Sequence, residues 1–331
     1  AVMAFGFVSA RAQTSVVTPT IAFLLLGFTI SDAGFGWANF HLSGVVVHAL
    51  AECTLVVVLF TDAARVDLQL LWREHVLPIR LLAVGLPLTI GMGMLAGIWL
   101  FPDWNFWDAA VLATIVAPTD AALAHPVVTR RLVPARIRQA ISVESGLNDG
   151  ICLPVFVIFL CGAKTSGHVE GLAFWLKYGA LQVTLGPVIG IAIAYFGGRL
   201  LQWAWNRKWV NHSFLDLSML ALAAVSFGTA ELAGGNGFIA AFCAGLTVGN
   251  SSRSICGALY EFGEAEGQLL SLVVFLIVGA TMTPAVIEGA TSESLFFARL
   301  SLTVVRIVPV TLSLIGAGLK RETTGFIGWF G

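Results

Sequence analysis

Charge is what this 331-residue chain has least of: 18 Lys and Arg and 19 Asp and Glu make up 11% of it, against 57% hydrophobic residues. A soluble domain carries about 25% charged residues, so no water-exposed domain of ordinary composition is present. The longest polar stretches are short loops, so the chain reads as one integral membrane domain over 1–331. A net charge of −1 removes nucleic acid as a partner, since no basic surplus exists to meet phosphates. The five cysteines (Cys53, Cys152, Cys161, Cys243, Cys256) show neither CxxC nor Cys/His ligand spacing and read as small buried hydrophobes. None of the six histidines forms HExxH, and Ser145 has no histidine near it in sequence to act as a base. An intramembrane enzyme is therefore not expected, nor is a cofactor. No filter-like repeat of an ion channel occurs. No charged leader with a cleavage site opens the chain, which starts in an apolar stretch, Ala1–Val8, read as the tail of a helix.

What is abundant is apolar sequence in runs long enough to cross ~30 Å of hydrocarbon. Counting the opening stub, eleven spans are expected, the later ten near 18–31, 43–61, 78–101, 105–124, 137–162, 171–197, 213–233, 236–249, 265–282 and 296–319. A further apolar start, Phe326–Gly331, follows them. The 35 glycines suit close helix packing in lipid. Loops after odd-numbered spans hold 14 of the 18 Lys and Arg, and loops after even-numbered spans hold Lys164, Lys177 and Arg299. That alternation places the basic loops in the cytoplasm.

Ionisable residues inside spans cost about 2.5–3.5 kcal/mol on insertion scales and are functional candidates by default. Asp120 lies late in the fifth span, Glu144 and Asp149 in the sixth, and Arg306 in the eleventh. On a helix turning ~100° per residue, Glu144, Ser145, Asn148 and Asp149 share one face, with Glu144/Asn148 and Ser145/Asp149 stacked at i, i+4. Two carboxylates, an amide and a hydroxyl form an oxygen-rich set suited to a hard cation. Glu144 is read as structural, paired with Arg306, because a lone buried carboxylate is costly. Asp149 is read as the functional acid. Pro118 should break or kink the fifth span, leaving backbone groups that can hold an ion. Beside that break, Asp120 has two open roles: neutralising helix-end amides or binding the transported ion.

These residues resemble the cation:proton antiporter superfamily, in its bacterial sodium/proton antiporter branch with an Asn-Asp pair. The resemblance rests on Ala117–Asp120, on Arg136–Ala140 and on Glu144-Ser145-Gly146-Leu147-Asn148-Asp149-Gly150, with weaker similarity over most of the chain. It implies an all-α, inverted-repeat fold with broken helices, homodimers, and residence in a bacterial inner membrane. It implies exchange of Na⁺ or Li⁺ for H⁺, with Asp149 as the essential acid and Asn148 as its partner amide. Ser145 and Thr119 would complete the Na⁺ shell, with Asp120 supporting the broken helix and Glu144–Arg306 as the structural ion pair. Because Asn148 cannot titrate, one H⁺ per cation, electroneutral, is expected. A K⁺/H⁺ exchanger of the same superfamily and an ion-regulated channel or sensor on this fold are the alternatives. Two departures stand out. Ala121 replaces a proline common in relatives. Relatives also continue past Gly331 into a second broken helix and a final span, so the resemblance implies a piece of a longer transporter, cut at both ends.

Overall fold

The computed structural model describes residues 19–32, 34–37, 44–69, 75–119, 133–165, 172–252 and 256–330. Among these every regular element is helical: α1 (Pro19–Ile30), α2 (Gly44–Arg65), α3 (Val76–Leu100), α4 (Phe106–Val116), α5 (Ala135–Thr165), α6 (Leu172–Asn206) and α7 (His212–Leu232). There follow α8 (Gly237–Ser251), α9 (Cys256–Thr281), α10 (Thr283–Glu288), α11 (Ser292–Ser301), α12 (Val304–Ser313) and α13 (Arg321–Phe330). For part of α5, α6 and α9, and at a few later positions, only the backbone is described. The opening stub, Ala1–Val8, and Asp120 lie outside the described residues.

By length and composition, α2, α3, the 184–206 part of α6, α7 and the joined α11–α12 stretch can each cross a membrane. Their outer faces carry exposed apolar side chains such as Phe196, Val188 and Leu232, which a bilayer covers as water would not. Aromatic residues gather at the helix ends. Trp99 packs edge-on to Phe296, and Phe101 stacks on Trp104, where α3, α4 and α11 meet. Beyond the end of α6, Arg207 lies 4.6 Å from the Trp203 ring centre, and Trp209 closes on Trp203. Rings at both ends of the helices suit headgroup belts. The protein is an integral membrane protein.

One group of helices is built around α8. Nine of its fifteen residues are buried, most of them Gly or Ala, so neighbouring backbones come into direct contact. A Cβ on Gly245 would overlap the carbonyl oxygen of Phe60 on α2, and one on Gly249 that of Ala64, a turn further on. Gly190 of α6 meets Ala240 in the same manner. Gly27 and Gly279 do this for α1 against α9. Small residues give such seams their close approach in lipid. Caps and ties finish α8: Glu231 Oε1 accepts from the Gly237 N–H at 2.7 Å, and Asn236 Oδ1 accepts from Ile239 N–H at 3.0 Å. At the other end Asn250 accepts from Leu68 N–H and donates to the Val66 carbonyl, holding the end of α2 against α8.

The second group joins α3, α4, α5, α12 and α13. Leu77, Leu81, Ile137, Ile141, Val310 and Ile327 form one apolar cluster, and Leu86, Ile90, Ala113 and Cys152 another. Within α3 the turn Leu81–Gly85 is π-helical. It ends two residues before Pro87, whose ring would strike the Ala83 carbonyl in a regular helix, and the wider turn relieves that contact. α5 bridges the groups, with Leu147 and Leu153 packed on Leu59, Ala63 and Phe242.

The fifth span breaks at Pro118 as expected: α4 stops at Val116 and Ala117–Thr119 leave the helix, the remainder from Asp120 lying outside the described residues. Three expectations need adjustment. The eleventh span is two helices with a turn at Leu302–Thr303, which sets Arg306 in the first turn of α12. The seventh runs on to Asn206. Cys53 is exposed on α2 where burial was expected, since lipid covers a small apolar side chain as well as protein does.

Replacing Gly249 by Val or Gly245 by Leu should push α2 off α8. Forced overpacking costs about 1–3 kcal/mol, and more where backbone blocks relief. A lowered melting point of the purified protein, against no change for Gly91→Ala on open space in α3, checks this.

Candidate functional site

Three distant pieces of chain meet at the break in α4. Thr114 Oγ1 donates to the Ala110 carbonyl, so regular helix persists to that turn. Ala117, Pro118 and Thr119 then leave the helix. The Ala117 carbonyl, at the C-cap where the helix ends, accepts from Arg306 Nη1. The second guanidinium nitrogen, Nη2, lies 3.5 Å from Glu144 Oε1. Arg306 thus joins α12 to both the broken segment and α5, and Glu144 is 5% exposed.

Thr119 stands between the two α5 residues. Its hydroxyl donates to the Glu144 carboxylate, at 3.3 Å to Oε1 and 3.2 Å to Oε2. The same oxygen accepts from Asn148 Nδ2 at 2.6 Å, and the Thr119 carbonyl accepts from that nitrogen at 3.3 Å. Asn148 is 0% exposed, and its Oδ1 has no hydrogen-bond donor among the described residues. A buried polar atom left so costs about 1–3 kcal/mol, and such an orphan marks a place where a ligand can bind.

The structure brings together four of the residues singled out in sequence: Thr119, Glu144, Asn148 and Arg306. Positions 145 and 149 lie on the same helix, α5, but the side chains of Ser145 and Asp149 lie outside the described part, as does Asp120. Two features were not anticipated. Arg306 binds the Ala117 carbonyl as well as Glu144, and Thr119 links Glu144 to Asn148. The proline break signalled backbone groups without helical partners, but not that Arg306 would meet one of them. No pattern in the sequence signalled the threonine bridge. Among the described residues no group of three His, Cys, Asp or Glu could hold a resident metal.

Comparison with known proteins gives the class. The sodium proton antiporter MjNhaP1 from Methanocaldococcus jannaschii superposes on 98% of this chain with a TM-score of 0.80 at 18% identity, covering 79% of that protein. The fold is therefore that of the antiporter: all-helical, polytopic and membrane-embedded. The family model described as sodium/hydrogen exchanger, transmembrane, matches residues 1–331, and the chain belongs to that family. A K⁺/H⁺ antiporter, NhaP, of Alkalimonas amylolytica is 24% identical over 94% of this chain and 53% of its own length. A probable Na⁺/H⁺ antiporter of Schizosaccharomyces pombe is 25% identical over 74% of this chain and 33% of its own. The chain spans about half the length of the curated bacterial relatives it matches.

Removing one partner of a buried ion pair costs about 3–5 kcal/mol, because the other charge stays buried. Arg306→Ala strips Glu144 and the Ala117 carbonyl together and should lower the melting point sharply. Arg299→Ala, on the exposed face of α11, should stay within about 0.5 kcal/mol of wild type.

Proposed function

We propose that this chain is the membrane part of a monovalent cation:proton antiporter, with Asp149 binding cation and proton in turn. The observation that carries the reading is the buried, oxygen-rich network at a helix break, one residue before Asp149 on α5. A carboxylate in low dielectric favours its protonated form, and a cation close by favours the ionised form. Asp149 can therefore hold a proton or a dehydrated cation, but not both. Competition for one group is itself the coupling of the two fluxes. Oxygens from Ser145, from the Thr119 backbone and from the rest of the broken segment replace the water that the cation loses, and Asp120 supports that segment. An unloaded carboxylate is charged and resists passage through an apolar gate, so reorientation follows loading.

Glu144 binds neither the transported cation nor the proton on this reading, since it is paired with Arg306. Asn148 cannot titrate, so one proton leaves per cation and exchange is electroneutral. The resemblance supports a homodimer in a bacterial inner membrane with the basic loops in the cytoplasm, and no nucleic acid or cofactor.

The ion is Na⁺ (or Li⁺) or K⁺. Sodium follows from the Asn-Asp resemblance and from the archaeal structural neighbour's name. Potassium is favoured by the names of the bacterial relatives. Proteoliposomes holding a pH dye and titrated with Na⁺, Li⁺ and K⁺ decide between them.

Asp149→Asn should abolish cation-dependent proton release in that assay, and retained exchange removes Asp149 from the mechanism. Wild-type exchange should not respond to imposed voltage. Lowering pH should raise the half-saturating cation concentration, about tenfold per unit below the pKa of the shared carboxylate, because the protonated form binds no cation. A half-saturation point that ignores pH contradicts single-group competition.

A further inference from the structure

The hydrogen bonds around Thr119 run in one direction only. Glu144, beside the Arg306 guanidinium, is a carboxylate and can only accept. A threonine hydroxyl has one proton, and this one goes to Glu144. Toward its other neighbour the Thr119 oxygen can then only accept, so the Asn148 atom at 2.6 Å must be the amide nitrogen. The Thr119 carbonyl, also an acceptor, requires the same assignment. Two acceptors thus face Nδ2, and Oδ1 is the atom turned away, buried and without a donor among the described residues.

We propose that Glu144 is a positioning residue for the ion site: through the Thr119 hydroxyl it sets the Asn148 amide so that Oδ1, not Nδ2, is offered to the arriving cation. The proposal rests on the cation-exchange reading above and deepens it. An amide reversed end for end would put two N–H hydrogens, each carrying partial positive charge, where a cation has to dehydrate. The Glu144–Arg306 pair therefore does more than join helices. Its fixed negative end sets the direction of a hydrogen-bond chain that ends at the site.

Glu144→Gln reverses the logic without changing size. Its amide can donate to the Thr119 oxygen, which frees the Thr119 proton to reach Asn148 Oδ1 and lets the amide turn over. Thr119→Val cuts the chain at its middle. The readout is the concentration of NaCl, LiCl or KCl that gives half-maximal thermal stabilisation of the purified full chain, a binding measurement independent of turnover. Each variant should raise that concentration by ~10-fold, the effect of losing one well-placed ligand oxygen. The double variant should raise it no further than either single one, because both act through one chain. Thr119→Ser keeps a hydroxyl and should recover the affinity lost in Thr119→Val. Should Glu144→Gln fail to fold with Arg306 unpaired, Glu144→Gln/Arg306→Gln takes its place with the same expected shift.

Wild-type half-saturation in the Glu144 variant overturns the proposal. So does a double variant whose effect is the product of the two single effects, which would make Thr119 an independent ligand. A wild-type chain stabilised by none of the three salts removes the functional reading and the proposal with it. Loss of the Glu144 effect alone leaves the functional reading standing.

Discussion

The constraint on which the site depends is that α4 ends at Val116, just before Pro118. Where a helix ends, its last carbonyls have no helical donor. In lipid such groups need partners within the protein. Arg306 supplies one for Ala117, and it can do so because α12 begins afresh after the turn at Leu302–Thr303, with Arg306 in its first turn. A guanidinium brought this deep needs a counter-charge, and Glu144 provides it from α5. Thr119, carried past the break, then meets the face of α5 that holds Glu144 and Asn148. Each step answers a need created by the one before.

The rest of the fold makes a stiff frame for this chain of contacts. The seams at Gly245, Gly249 and Gly190 lock α8 against α2 and α6 backbone to backbone, with little freedom to slide. The contact of α5 with that group is of another kind. Leu147 and Leu153 meet Phe242 and Leu59 through side chains, and the Phe242 ring also seats directly on Gly150. The helices bearing the network are thus joined among themselves by hydrogen bonds and to the α8 group by side-chain packing.

Much of this was legible in the amino-acid order. The presence of most spans, though not all their boundaries, followed from apolar runs, because in lipid every backbone group must be satisfied within its segment and few alternatives exist. Pro118 announced the break, and Glu144 with Arg306 announced a buried pair, since neither is tolerable alone. The threonine bridge was not legible. The resemblance implies a place for Thr119 in the ion shell, and only three-dimensional placement shows that its hydroxyl is held between Glu144 and Asn148. The split of the eleventh span was equally hidden, since Leu302 and Thr303 are ordinary residues in a transmembrane helix. The π-helical turn before Pro87 depends on local strain that composition does not express.

Central to the account is one carboxylate that must lose its proton to gain a cation. Calorimetric titration of the purified protein with the preferred cation, run in two buffers of different ionisation enthalpy, counts the protons released on binding. The account predicts one proton released per cation bound at a pH where the carboxylate starts protonated, and none from Asp149→Asn. Cation binding by the wild-type chain with no proton released under those conditions would contradict it.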